Sequence, residues 1–230
     1  MSGVMDEAEG AKKRRIPAWM ELVLLLVTAL VLSVAVKTFL VQMFFVPSES
    51  MEPLFVADDR ILVQKVSYWT GEVERGDVVV FEDPGGWLGP GPELTGLQEA
   101  LSAIGLYPTG GHLVKRVVAV GGDEVVCCDR QGRVSVNGVA LDEEGYLPQG
   151  SQPSSRKFSV SVPDDGLWVM GDNRGNSQDS RFHQDLDGGG AIPEDAVVGK
   201  VWAVVWPLGR ADLVETPATF TRPDLQMTGR

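Results

Sequence analysis

Phe45-Val46-Pro47-Ser48-Glu49-Ser50-Met51-Glu52-Pro53 is where this chain of 230 residues changes character. Before it lies one long apolar segment; after it come short, valine-rich runs separated by Gly, Pro and Asp. From Leu22 to Val36 the residues read LVLLLVTALVLSVAV without a charge, and apolar character resumes from Thr38 to Phe45 after the single Lys37. A hydrocarbon core of ~30 Å needs about 20 helical residues, so this stretch predicts one spanning helix, with Lys37 snorkelling to the outer interface and Trp19 at the inner one. Lys12-Lys13-Arg14-Arg15 precede the segment, while the acidic excess behind the net charge of -12 lies almost wholly after it. The positive-inside rule then puts the N-terminus in the cytoplasm and everything after Phe45 outside. A cleaved secretory signal with Ser33-Val34-Ala35 as its cutting site is the competing reading. It would leave the apolar run through Phe44-Phe45 exposed at the new terminus.

Beyond that junction, Arg60 to Val66, Asp77 to Glu82, Leu113 to Val120, Glu124 to Cys128, Arg133 to Val136, Phe158 to Val162, Leu167 to Met170 and Val197 to Trp206 read as strands. Gln131-Gly132 and Asn137-Gly138 supply turn chemistry, predicting hairpin structure over Glu124 to Leu141. The predicted organisation is a basic cytoplasmic tail over 1–16, a transmembrane anchor helix over 17–45, and a mainly β domain outside the membrane over 46–215. Within that domain 83–112 is a Pro- and Gly-rich insertion, with Leu97, Leu101 and Ile104 on one helical face, and 124–165 is a hairpin-rich subdomain. Residues 216–230 read as a polar tail. Leu54, Phe55, Val56 and Trp69 are candidates for dipping the domain into the membrane interface.

An acidic domain lacks the basic footprint that nucleic acid requires, so no nucleic-acid partner is expected. The two cysteines, Cys127 and Cys128, are neighbours, and adjacent strand residues point to opposite faces; structural or free thiols are expected rather than a redox pair. His112 and His183 stand alone, without metal-ligand spacing, and neither a metal nor another cofactor is expected.

The polar motifs carry the chemistry. A serine hydroxyl is a weak nucleophile until a base takes its proton, and lysine can serve only when neutral. In Leu113-Val114-Lys115-Arg116-Val117-Val118, strand alternation puts Lys115 on the face of Leu113 and Val117 and Arg116 on the other. Desolvation among apolar groups lowers a lysine pKa; guanidinium stays protonated and cannot take this part. A third stretch, Gly171-Asp172-Asn173-Arg174-Gly175-Asn176-Ser177-Gln178-Asp179-Ser180-Arg181, has the composition of a loop rich in side-chain-to-backbone hydrogen bonds. A Ser-His-Asp triad using His183 or His112 is the competing constellation.

In content and order, the Ser48–Met51 turn, Lys115-Arg116-Val117-Val118-Ala119-Val120-Gly121-Gly122-Asp123 and the Gly171–Arg181 loop resemble the bacterial type I signal peptidases, the Ser/Lys-dyad serine endopeptidases of family S26. Weaker agreement comes from Asp59 to Lys65 and Gly199-Lys200-Val201. The resemblance implies a membrane-bound, single-pass enzyme whose coiled β-barrel domain, on the outer face of the cytoplasmic membrane, removes signal peptides from exported pre-proteins after an Ala-x-Ala-like motif. It makes Ser50 the nucleophile and Lys115 the general base. The oxyanion hole falls to the Ser50 N–H with the Ser48 hydroxyl. Ser177 would hydrogen-bond Lys115, Asp179 and Arg181 would form a supporting ion pair, and Asp172 with Asn173 would be structural neighbours. Val46, Pro47, Met51 and Val114 match pocket positions for a substrate bound as an added strand. The implied partners are pre-proteins, the lipid bilayer and, by proximity, the secretion translocon. A dedicated maturase for a few partners keeps the same dyad; a silent, membrane-tethered binding domain is the non-enzymatic alternative.

Overall fold

The structure, a computed structural model, describes residues 17–35, 40–65, 71–89, 95–96 and 111–226. Its first element is α1 (Ala18–Ala35), whose large apolar side chains from Leu22 to Val34 are exposed on every face. At 1.5 Å per residue, its 18 residues span about 27 Å. Among the described residues no helix is long and apolar enough to cross a membrane. The anchor helix expected over 17–45 is corrected at its C-terminal end. Val41–Phe45 form strand β1, paired antiparallel with β2 (Arg60–Gln64) from Val41 opposite Gln64 to Phe45 opposite Arg60. The ladder satisfies backbone groups that an apolar run would otherwise have satisfied within a helix.

Ten further strands follow among the described residues: β3 (Val78–Glu82), β4 (His112–Ala119), β5 (Glu124–Cys127), β6 (Val134–Val136), β7 (Val139–Ala140), β8 (Phe158–Ser161), β9 (Gly166–Met170), β10 (Ile192–Pro193), β11 (Val197–Trp206) and β12 (Asp212–Leu213). All pairings are antiparallel. The larger sheet runs β1-β2-β11-β3-β4-β9-β10, with β12 also on β11, and is an open, curled half-barrel whose end strands among the described residues are β1 and β10. Register shifts in β11, and between Val117 and Ala119 in β4, supply the bends that curl a sheet.

Val78-Val79-Val80-Phe81 shows why the centre is double-sided. Val78 and Val80 belong to one apolar cluster with Val46, Met51, Phe55 and Val201, whereas Val79 and Phe81 belong to another with Val117, Leu167 and Val169. A strand buried on both faces reads as an unbroken apolar run. The small sheet, β7-β6-β5-β8, caps a third cluster containing Val118, Trp168 and Met170.

Three expectations change. Phe55 is fully buried and Leu54 and Val56 are half-buried, so that turn faces the core; Trp69 lies outside the described residues. The tail is not peripheral. A short 3-10 turn, Ala218–Thr221, and helix α2 (Pro223–Gln226) insert Phe220 and Leu225 into the third cluster, and Arg75 donates to the Leu225 carbonyl. Gly76, at φ +90°, touches this segment so closely that a Cβ would lie 2.6 Å from Thr216 Cγ2 and 2.8 Å from Phe220 Cβ. Finally, Cys127 and Cys128 are joined as a vicinal disulfide across a cis peptide bond, which brings their Cα atoms to 2.9 Å. The trans strand geometry behind the expected pair of thiols is absent at that bond. Most of the 83–112 insertion, with Leu97, Leu101 and Ile104, lies outside the described residues.

Candidate active site

The turn between β1 and β2 carries Ser48 and Ser50 and is held at both ends. Val46 N–H donates to the Asp59 carbonyl and Asp58 N–H to the Val46 carbonyl; within the turn, Glu52 N–H donates to Glu49 and Phe55 N–H to Met51. Met51 and Phe55, both fully buried, pin it to the core. Ser50 is therefore 7% exposed on a fixed backbone, with its hydroxyl 3.3 Å from that of Ser48.

Lys115 reaches this hydroxyl from the middle of β4, where Val79 pairs with it across β3. Its Nζ donates to Ser50 Oγ at 2.8 Å and to the Val114 carbonyl at 3.0 Å. Only 4% of Lys115 is exposed, and burial lowers its pKa from 10.5 to about 8. Asp179 and Asp172 pull in the opposite direction, and Arg181 adds to the lowering. Desolvation outweighs two nearby carboxylates because each is already neutralised by an arginine. Arg116, turned the other way, donates from Nε and Nη2 to both Asp172 oxygens at 2.8 and 2.7 Å. Arg181 grips Asp179 in the same forked manner. Burial works against the Asp179 charge, but the Arg181 hydrogen bonds and charge with the Gly171 N–H hold its carboxyl below the usual range.

The third motif closes over the turn. Asn173 N–H donates to the Ser50 carbonyl at 3.0 Å, Asn173 Nδ2 to the Glu49 carbonyl, and Asn176 Nδ2 to the Glu49 carboxylate. Ser177 is buried beside these groups, and its hydroxyl reaches hydrogen-bond geometry with no described residue. The hydrogen bond expected from Ser177 to Lys115 is thus not formed here; the lysine is oriented by Ser50 and its own strand. Two pocket expectations also change. Val46 and Met51 have 1% and 0% exposure and belong to the core beneath the turn, leaving exposed Pro47 and half-buried Val114 with surface to offer a peptide.

Neither histidine approaches the serine. His183 Nδ1 lies 2.9 Å from the Asp179 carbonyl and its ring stacks on Trp87, 4.3 Å away. His112 packs at 5.2 Å from Phe44, and burial lowers its pKa against the opposing pull of Glu82. A cleft of about 670 Å³ lined by Lys65, Glu72, Glu82 and Glu194 contains no residue of the serine-lysine pair.

Sequence reasoning missed one set of residues altogether. Arg174 is buried between Glu143, Tyr146 and the Gly171 carbonyl. Glu143 and Tyr146 lie 31 and 28 positions from Arg174, in a loop with no local pattern, so only the tertiary fold brings them together.

Comparison with known proteins gives concordant matches. Residues 19–206 match the family described as signal peptidase, peptidase S26. "Signal peptidase I" of Mycobacterium tuberculosis is 37% identical over 238 residues, covering 92% of this chain and 79% of that protein. "Probable signal peptidase I-2" of Synechocystis is 34% identical over 213 residues, covering 91% and 85%. A crystal structure of a signal peptidase I from Enterococcus faecalis aligns with a TM-score of 0.36 and 20% identity over 56% of this chain and 96% of that one.

Proposed function

Because the chain belongs to the signal peptidase, peptidase S26 family, we propose that it removes signal peptides from exported pre-proteins with Ser50 as nucleophile and Lys115 as general base. The observation that carries this is the 2.8 Å contact between Lys115 Nζ and Ser50 Oγ, both largely buried side chains. The neutral amine takes the Ser50 proton as Oγ attacks the scissile carbonyl. Carbonyl carbon and oxygen become a tetrahedral oxyanion, held by the Ser50 N–H and the Ser48 hydroxyl. Lys115 then returns the proton to the leaving amine, and water hydrolyses the acyl-enzyme by the same base. Asp179 with Arg181, and Asp172 with Arg116, fix the walls around the amine, while Pro47 and Val114 meet the small residues before the cut. The test is direct: the purified full chain in detergent, given a pre-protein with an Ala-x-Ala site, should cut once after the second alanine, as read by mass spectrometry. No cut there would sink the assignment.

The base carries its own signature. Its buried pKa of about 8 lies below 10.5, so the active neutral form accumulates as pH rises through about 8, and kcat/KM should climb over that range and then level. The same sign governs folding: between those values the unfolded chain holds the extra proton, so stability also rises with pH. A histidine base would place the limb near ~6.5, and a limb there, lost in His183→Ala or His112→Ala, would overturn the lysine assignment.

The same reading puts the enzyme at the cytoplasmic membrane beside the translocon, as a β domain running from β1 to the docked segment at Leu225, on a single N-terminal anchor ending before β1. Two features support it: α1, apolar and exposed all round, and the exposed Met43, Phe45, Trp206, Leu208 and Leu213 on β1, β11 and the adjoining segment to β12. Such surface is costly in water and suited to lipid. Protease added to intact spheroplasts should digest the domain after Phe45; protection of that domain with loss of only the N-terminal tail would reverse the orientation.

A further inference from the structure

We propose that Glu143 and Tyr146, in the loop beyond the small sheet, are positioning residues of the catalytic site: through Arg174 they hold the 171–177 loop against the nucleophile turn. The proposal rests on the Ser50/Lys115 reading and extends it to residues outside the three motifs.

Arg174 is 1% exposed and spends its guanidinium between two regions. Nη2 donates to Glu143 Oε1 at 2.5 Å and to the Tyr146 hydroxyl at 3.1 Å, and Nη1 donates to the Pro153 carbonyl at 2.8 Å. Nε donates to the Gly171 carbonyl at 3.1 Å. Tyr146 completes the triangle by donating to Glu143 Oε1 at 2.6 Å, with the Arg116 guanidinium 4.8 Å above its ring. On its other side Gly171 abuts the nucleophile itself: a Cβ there would lie 2.4 Å from the Ser50 carbonyl oxygen, the atom that Asn173 N–H also holds. Three contacts, Glu143 to Arg174, Arg174 to Gly171 and Gly171 to Ser50, thus connect Glu143 to the backbone of Ser50.

A merely stabilising role is a poor account of this cage. Burying two arginines and two carboxylates costs more desolvation than an apolar cluster of similar volume, so such a cage is better explained by the geometry it imposes. The charges facing Glu143 are Arg174 and, across Tyr146, Arg116 with Asp172; those facing Lys115 are Asp179, Asp172 and Arg181. Loss of the Glu143 anchor leaves Arg174 held only by Tyr146, Pro153 and Gly171, loosens the 171–177 loop over the turn, and admits water to Lys115.

The experiment measures kcat, KM and the pH profile of the full chain in detergent on a pre-protein with an Ala-x-Ala site. In Glu143→Ala, kcat should fall about tenfold or more, as displaced catalytic groups dictate, with KM nearly unchanged. The acid limb of kcat/KM should move upward from about 8, because hydration favours the charged amine. Glu143→Gln keeps an acceptor for Arg174 and Tyr146 and should restore the limb and most of kcat. If Glu143→Ala does not fold, Tyr146→Phe removes only the bridging hydroxyl and should lower kcat about threefold, the scale of one hydrogen bond, with the limb displaced the same way. An unmoved limb in a folded variant, or one moved downward as an unpaired Arg174 charge alone would dictate, overturns the proposal. A wild-type profile with no limb in this range would instead overturn Lys115 as base, and this proposal with it.

Discussion

Ser50→Ala and Lys115→Ala are each expected to abolish signal-peptide processing while leaving the chain folded. On the proposed mechanism the two side chains, joined at 2.8 Å, act as one unit, so removal of either stops the proton transfer that makes the hydroxyl a nucleophile. Neither deletion touches the framework: Ser50 is held by its backbone and by Met51, and β4 keeps its ladder to β3 whatever the side chain of Lys115. Ser48→Ala should be graded rather than absolute, costing roughly 100- to 1,000-fold, the scale of one oxyanion donor. Cleavage of the pre-protein is followed by gel shift, and folding by circular dichroism. Wild-type activity in a folded Ser50→Ala protein would falsify the dyad.

Gly171→Ala should also cost much of the activity, although the substitution adds a single methyl group. The obstacle is space. The new Cβ would lie 2.3 Å from Ser177 Oγ and 2.4 Å from the Ser50 carbonyl oxygen, and the second of these is backbone that cannot turn aside. Relief requires the 171–177 loop and the nucleophile turn to separate, and a displacement near 1 Å there costs on the order of 100-fold in rate. Overpacking should also lower stability by about 1–3 kcal/mol. Gly175 is the control, since a Cβ there meets nothing within 4 Å and Gly175→Ala should process normally. The comparison is made by kcat/KM and thermal unfolding of both variants; equal activity in the two would remove the packing argument.

The strand-forming stretches were legible because burial on one or both faces leaves a periodic trace. Val78 to Phe81 and Leu113 to Ala119 could hardly be anything else. β1 escaped notice since its residues continue an apolar run, and an apolar run alone does not distinguish the end of a helix from a strand against β2. Phe220 and Leu225 lay hidden in a segment whose average composition is polar, though two side chains suffice to dock it.

The sequence by itself determined the family, the order of the three motifs, and the choice of Ser50 and Lys115 as the proposed reacting pair. Those are properties of residue type and local spacing, and an alternating strand already puts Arg116 opposite Lys115. Tertiary structure alone decided how far the lysine is stripped of water, where each buried carboxylate finds its arginine, and that Ser177 does not bond the lysine while Val46 and Met51 support the turn from within. It also brought Glu143 and Tyr146 onto Arg174. Desolvation and long-range ion pairing depend on which parts of the chain meet in space, and no spacing along the chain records that.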